Sequence, residues 1–314
     1  MSDIICRNVS SGQRMMYTIV NFQKEFSRLT DKKNKLDYLN NLNIHWPHTS
    51  NTDSLLPHSD ENVFYDYFNP NIEELSNCLV TPYEPYEQIM DFWEDIQKQK
   101  FDEIDYGWVR SLFNPSEGVK HYLDRLISES NIDFKNSVMC YFRGWTEHSG
   151  PPIAGGNHPH SYAEVIDSMG LDNAVIMTDN YFWGHWFKEY FKKKYKILDL
   201  SPLLINDGEF RAVTVKKNAG DVLSLAHGNI YADKFNADIK DGIYIWYAKL
   251  LFVSMFEHHI LSSGSHTSSL ISFFKNSIRN TVFIDWELNH NFYNVDDKNL
   301  KCKINRYNFS EGNI

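Results

Sequence analysis

Residues 258–275 read HHILSSGSHTSSLISFFK, and this stretch decides the fold. A short apolar run, Ile260 and Leu261, opens into small hydroxyl residues around Gly264, and an apolar helical pattern follows at once. The spacing predicts a buried strand, a Ser/Gly loop and a helix start. At such a junction backbone N–H groups and the positive end of a helix converge on an anion. The hydroxyls of Ser262, Ser263, Ser265, Thr267, Ser268 and Ser269 add donors. An ordinary helix capped by Ser or Thr fits the same letters, so both readings stand until the rest of the chain is considered.

Outward from this junction, strands and helices alternate. Ser137–Phe142 (SVMCYF) is a continuous apolar run suited to a buried parallel strand. After it the pattern predicts a helix near 160–170, a strand at 173–178, a helix at 181–194 and a strand near 196–200. A helix at 240–256, the strand at 258–262 and a helix at 266–277 follow. This order implies βαβ units and a parallel sheet. Nearer the N-terminus, residues 3–8 read as a strand and 13–30 as a helix, with Met16, Ile19, Val20, Phe22 and Phe26 on its apolar face. Residues 40–85 lack periodicity and read as mostly loop, while 86–99 and 115–130 read as helices. The lysines at 192–194 are expected to be a solvated helix end.

With 314 residues, 42% hydrophobic and 15% aromatic, the chain can bury a substantial core. A net charge of −10 argues against nucleic acid or an anionic membrane surface as the main partner. No run approaches the ~18 apolar residues of a membrane span. Cys6, Cys78, Cys140 and Cys302 are scattered, without metal-type or redox-type pairing, which suits a reducing compartment. The N-terminus lacks a charged-then-apolar leader, so the expected setting is cytoplasmic.

Ligands of such sheets sit at the C-terminal ends of the strands. Three of those ends carry chemistry: Phe142-Arg143-Gly144-Trp145, Thr178-Asp179-Asn180 and the serine loop. An arginine beside a Ser/Gly loop suits a diphosphate. A carboxylate on a neighbouring strand end suits a ribose hydroxyl or a base N–H.

The stretch HHILSSGSHTSSLISFF resembles the terminal motif of the fucosyltransferase superfamily, which includes bacterial α-1,2-fucosyltransferases, rhizobial α-1,6 enzymes and O-fucosyltransferase relatives. Three more stretches fall in that family's order. Ile4-Ile5 followed by Ser11-Gly12-Gln13-Arg14-Met15 is similar to its N-terminal strand and Gly-Asn-Gln/Arg-Met turn. Tyr141-Phe142-Arg143-Gly144 sits where the family has His-x-Arg-Arg, and Thr178-Asp179-Asn180 with Trp183 is similar to its Ser-Asp-Asp-x-x-Trp. The resemblance implies an α/β, GT-B-like architecture: two Rossmann-type domains with parallel sheets facing across a cleft. The division expected is 1–133 for the probable acceptor side and 134–314 for the nucleotide-sugar side, with the C-terminal tail free to pack back on the first domain. It also implies a glycosyltransferase, inverting and metal-independent, with no cofactor. The donor is a nucleotide-diphospho-sugar, a GDP-sugar carrying fucose by analogy, and the acceptor a glycan hydroxyl.

The departures concern donor reading. The family's second arginine is Gly144 here, and its following aspartate aligns near Thr146. Lys249 stands where relatives carry a guanine-reading aspartate, five residues before Ser254, and Ser10 and Ser11 replace glycines of the N-terminal turn. Two rivals therefore stay open: a catalytically degenerate nucleotide-sugar or glycan binder, and another Rossmann-like enzyme with a phosphate ligand.

On this reading Arg143 stabilises the charge growing on the diphosphate, against the alternative of a surface ion pair. Ser263, Gly264, Ser265 and Thr267 supply phosphate contacts. Gly12 and Arg14 face them across the cleft, with a helix-surface cation as the plainer role for Arg14. Asp179 binds ribose or forms a turn. Glu147 and His148 are the nearest candidates for the general base that takes the acceptor's proton. His158 and His160 belong to a Gly/Pro-rich loop, and His258 and His259 read as half-buried structural residues. Lys249 reads as a solvated helix lysine, with a cation near phosphate as the alternative. His58-Ser59-Asp60 has the spacing of a facial-triad iron site, but no alternating strand pattern surrounds it.

Overall fold

A computed structural model describes residues 2–6, 11–48, 59–81, 101–142, 159–178, 187–191, 195–199, 204–206, 209–211, 239–262, 265–286 and 302–307. Strand β1 (Ser2–Ile5) leads into helices α1 (Ser11–Phe26) and α2 (Lys32–Asn40), and the chain returns as β2 (Leu42–His45), parallel to β1. Asp31 caps α2 by accepting the Asn34 N–H at 2.8 Å. Short pieces follow: β3 (Pro47–His48) paired with β4 (Ser59–Asn62), then α3 (Phe64–Tyr67), α4 (Ile72–Asn77), α5 (Trp108–Leu112) and α6 (Glu117–Ser130).

The second half holds β5 (Ser137–Phe142), α7 (Pro159–Met169), β6 (Asn173–Thr178), a helical turn at 187–191 and β7 (Lys196–Asp199). A hairpin of β8 (Leu204–Asn206) and β9 (Glu209–Arg211) comes next. Then come α8 (Ile239–Val253), β10 (His258–Ser262), α9 (His266–Lys275), β11 (Thr281–Trp286) and β12 (Cys302–Tyr307). Six of these strands form one sheet in the order β12-β11-β10-β5-β6-β7, parallel except for the antiparallel edge strand β12. The expected βαβ alternation and parallel sheet are thus present, and two strands beyond the last predicted helix complete the edge.

All six residues of β5 are buried, as a strand covered on both faces requires. Their alternation sorts them between two cores. Val138, Cys140 and Phe142 join Ala174, Ile176, Ile260, Val282 and Ile284 under α7, with Phe187 and Phe191. Met139 and Tyr141 point the other way, with Val175, Met177, Leu261 and Phe283, into a larger core. That larger core is continuous with Ile4, Met15, Phe22, Trp46, Phe113 and Val119 of the first half and with Phe252 and Phe273 of α8 and α9. Helix α6 lies along α8. A Cβ on Gly118 would come within 2.7 Å of the Tyr244 ring, so this crossing distance depends on a glycine.

Residues 40–81, expected to be mostly loop, carry β2, β3, β4, α3 and α4. They are too short to show a period. Aromatic packing holds them instead: Trp46 meets Phe64 at 5.0 Å, Phe68 at 6.0 Å and Tyr247 of α8 at 6.3 Å between ring centroids. The Trp46 Nε1–H donates to Thr18 Oγ1 at 3.0 Å and ties this layer to α1. Among the described residues no helix is long and apolar enough to cross a membrane.

Candidate functional site

Phe142, Thr178 and Ser262 end three neighbouring parallel strands, β6-β5-β10, at one edge of the sheet. Arg143, Asp179 and Ser263 are next in the chain at those three ends. They lie outside the described residues, as do Gly264, Glu147, His148 and His158. The described part of the site is therefore built from β10, the first turn of α9 and the first turn of α1.

The two helix starts meet. A Cβ placed on Gly12, the second residue of α1, would lie 3.2 Å from the Cβ of His266, the first residue of α9. Only a glycine permits this approach without displacement. Two helix N-termini thus bring their positive ends to one place. Arg14, one turn position further on, is only 6% exposed, so it is not a helix-surface cation. Its carbonyl accepts from Thr18 Oγ1 at 2.8 Å, and Cys6 Sγ lies 3.6 Å from the same Thr18 oxygen. Burial raises the Cys6 thiol above its ordinary range, against the smaller opposing pulls of its Thr18 hydrogen bond and the Arg14 charge.

A set of hydroxyls ties the serine loop to the strands beside it. Tyr162 Oη, from α7, and Ser262 Oγ are 2.7 Å apart, and Ser262 Oγ donates to the Tyr141 carbonyl at 3.3 Å. A carbonyl only accepts, so the Ser262 proton goes to Tyr141 and Tyr162 is the donor to Ser262. Ser265 Oγ lies 3.5 Å from Tyr141 Oη, a long contact for two hydroxyls. Tyr141 therefore meets both residues that flank positions 263–264.

Ser265 occupies the N-cap position of α9 with extended backbone, φ −106° and ψ 130°, yet its side chain makes no cap hydrogen bond. Further along the helix, Ser269 Oγ donates to the Ser265 carbonyl at 3.2 Å and Ser272 Oγ to the Ser268 carbonyl at 3.1 Å. Those two hydroxyls are consumed by the helix itself. Ser268 Oγ is fully buried and has no hydrogen-bond partner. It sits on the first turn, where side chains lean toward the helix N-terminus. Thr267 beside it is half-buried. An uncapped helix start with a buried, unspent hydroxyl is a receptor for an acceptor group, of the kind phosphate oxygens supply.

Of the residues chosen from sequence, the structure brings Gly12, Arg14, Ser265 and Thr267 to these two helix starts. Ser268, Tyr141 and Tyr162 were not singled out. A serine among six hydroxyls carries no mark of its partner, and the tyrosines read as core aromatics. Lys249 is 6% exposed, which corrects the expectation of a solvated lysine: α8 is covered on this side as well as on its apolar face. His258 is half-buried as expected, but His259 is fully buried. Its Nε2–H donates to the Val253 carbonyl at 2.9 Å, and burial holds its imidazole neutral, well below the ordinary 6.5.

No family model matches this sequence, and no curated protein matches it. Solved structures similar to the chain include the following two. One is a mutant of Arabidopsis thaliana FUT1 in complex with GDP, at 12% identity and a TM-score of 0.37, covering 65% of this chain and 41% of that one. The other is NodZ alpha-1,6-fucosyltransferase soaked with GDP-fucose, at 9% identity and a TM-score of 0.47, covering 91% of this chain and 94% of that one.

Proposed function

We propose that the protein is a glycosyltransferase that moves a sugar, fucose by family analogy, from a nucleotide-diphospho-sugar to a glycan hydroxyl. The observation that carries this reading is the uncapped start of α9, with its unpartnered Ser268 hydroxyl, packed against the start of α1 at Gly12. In this proposal the first-turn amides of α9, with Ser263, Gly264, Thr267 and Ser268, receive the diphosphate, and Ser265 contributes its backbone N–H and not its hydroxyl. Arg143 and Arg14 offset the charge that grows on it as the glycosidic bond breaks. Asp179 takes the ribose, and Glu147 or His148 accepts the proton of the incoming hydroxyl. Transfer with inversion, without a metal, across a cleft between residues 1–133 and 134–314 completes the reading by family resemblance.

The buried Lys249 bears on the nucleotide. A lysine donates and cannot accept, so this position cannot read the N–H edge of guanine as an aspartate would. The test is a thermal-shift panel of GDP-, UDP-, dTDP- and CMP-sugars. Stabilisation by one of them, followed by transfer or slow hydrolysis of its sugar, is the expected result. A folded sample stabilised by none overturns the donor site. Binding with no sugar released to water or to any glycan supports instead a non-catalytic binder, the reading that Gly144 in place of the second arginine favours.

A further inference from the structure

The N-cap serine of α9 has the backbone of a cap and does not cap. With φ −106° and ψ 130°, Ser265 has its side chain placed to accept an N–H from the first turn, yet its hydroxyl is directed to Tyr141 Oη instead. Tyr141 reaches it because Leu261, four residues before Ser265, is the register partner of Tyr141 in the β10–β5 pair. The same residue accepts from Ser262 through its carbonyl, and Tyr162 fixes Ser262 from the other side. All four residues are buried, at 5% exposure or less. The tie is thus made in a place that water does not compete for.

We infer that Tyr141 is a positioning residue: its phenol turns the Ser265 side chain away from the start of α9 and so keeps the Thr267 and Ser268 amides, with the Ser268 hydroxyl, open to ligand phosphate. A helix start that caps itself and one that binds an anion use the same donors, and one hydroxyl decides between them. Tyr141 does not touch the phosphate in this account; it acts through Ser265. The inference rests on the diphosphate reading for its ligand but not for its cap.

The two parts separate experimentally. Tyr141→Phe keeps the ring and removes the phenol oxygen, freeing Ser265 to cap. Hydrogen exchange at the Thr267 and Ser268 amides should slow in this variant, and its midpoint should hold or rise by about 2 °C. Affinity for GDP and for inorganic pyrophosphate, measured by calorimetry, should fall on the order of fivefold. Tyr141→Phe combined with Ser265→Ala should return both exchange and affinity toward the wild type, because the competing hydroxyl is gone. Loss of stability together with affinity in Tyr141→Phe, with no recovery in the double variant, overturns the inference and makes Tyr141 a plain core residue. A wild type that binds neither GDP nor pyrophosphate removes the diphosphate reading. The exchange pattern of the two variants then still decides whether Tyr141 holds the cap off.

Discussion

The two ends of α9 are built on opposite principles. At its C-terminal end the polar groups at the turn are tied to neighbouring segments. Asn276 closes the helix in the left-handed region at φ 59°, its Oδ1 accepts the Tyr106 N–H at 2.5 Å and its Nδ2 donates to Asp105 at 2.7 Å. Arg110 Nε donates to the Phe274 carbonyl at 2.5 Å, and the Ile278 N–H donates to Asp102 at 2.8 Å. Lys275 Nζ donates to the Glu257 carbonyl at 2.8 Å, to Thr281 Oγ1 at 3.2 Å and to the Arg279 carbonyl. The N-terminal end, ten residues away, is uncapped and carries a buried hydroxyl with no partner. The chain thus ties one end of the helix to several segments and leaves the other without a side-chain cap. The contrast teaches a division of labour on the proposed reading: the closed end holds the helix against segment 101–110 and the open end is left for a ligand.

The largest effect should come from the closed end. Asn276→Ala forces a non-glycine Cβ without compensating bonds into the left-handed region and leaves the buried Tyr106 N–H unpaired. A loss of roughly 2–4 kcal/mol in urea denaturation is expected, with affinity for nucleotide unchanged in the folded fraction. Asn276→Gly relieves the backbone part and should lose less. If the alanine variant instead loses ligand without losing stability, the division of labour between the ends is wrong.

Gly12→Ala strikes the open end. Its methyl group presses on His266 at 3.2 Å and separates the two helix starts by a few tenths of an ångström. About 1–2 kcal/mol of stability should be lost from the crowding, and nucleotide affinity should fall with it. Equal affinity in a stable variant would show that the two helix starts do not share a ligand.

A pH series sharpens the closed end further. Burial pushes the Lys275 ammonium down from 10.5 to about 7, against the pull of Asp102 and Glu257. Its folded value lies below its unfolded one, so between about 7 and 10.5 the unfolded chain binds more protons. The Lys275 contribution to stability therefore rises with pH across that window and is least favourable below it. In melting curves from pH 6.5 to 10 the wild type should gain stability relative to Lys275→Met as the pH rises. A constant offset would mean that Lys275 does not change its charge there.

The smallest effect on stability belongs to Ser268→Ala. It removes a buried hydroxyl that bonds to nothing, so stability should be unchanged or up to about 1 kcal/mol greater, while affinity for the diphosphate drops a few fold. A clear loss of stability would reveal a structural bond to Ser268 in solution.

Much of this was legible along the chain. SVMCYF and NAVIMT are strands because uninterrupted apolar runs of that length suit a sheet covered on both faces, and β5 is buried throughout and β6 at every position after Asn173. The serine loop and the glycine turn at 12 were legible as a pair because a helix start needs donors and close backbone approach. Residues 40–81 were not, since elements of two to six residues are too short for a period and are held by rings from α8 and by Thr18 of α1. Lys249 misled for a related reason: a charged letter on a helix says nothing of what covers it, and the same cover removes the surface reading of Arg14.

The sequence by itself determined the alternation of strands and helices, the two faces of the sheet and the placing of a hydroxyl-rich loop before α9. Which of those hydroxyls are spent was decided only in three dimensions. Ser269 and Ser272 turn back on their own helix, Ser265 is drawn aside by a residue 124 positions earlier, and Ser262 is held by one 100 positions away. The physical reason is that a hydroxyl has a single proton to give. Its partner is chosen by distance and direction, and for this helix those belong to strands and helices far away in the chain.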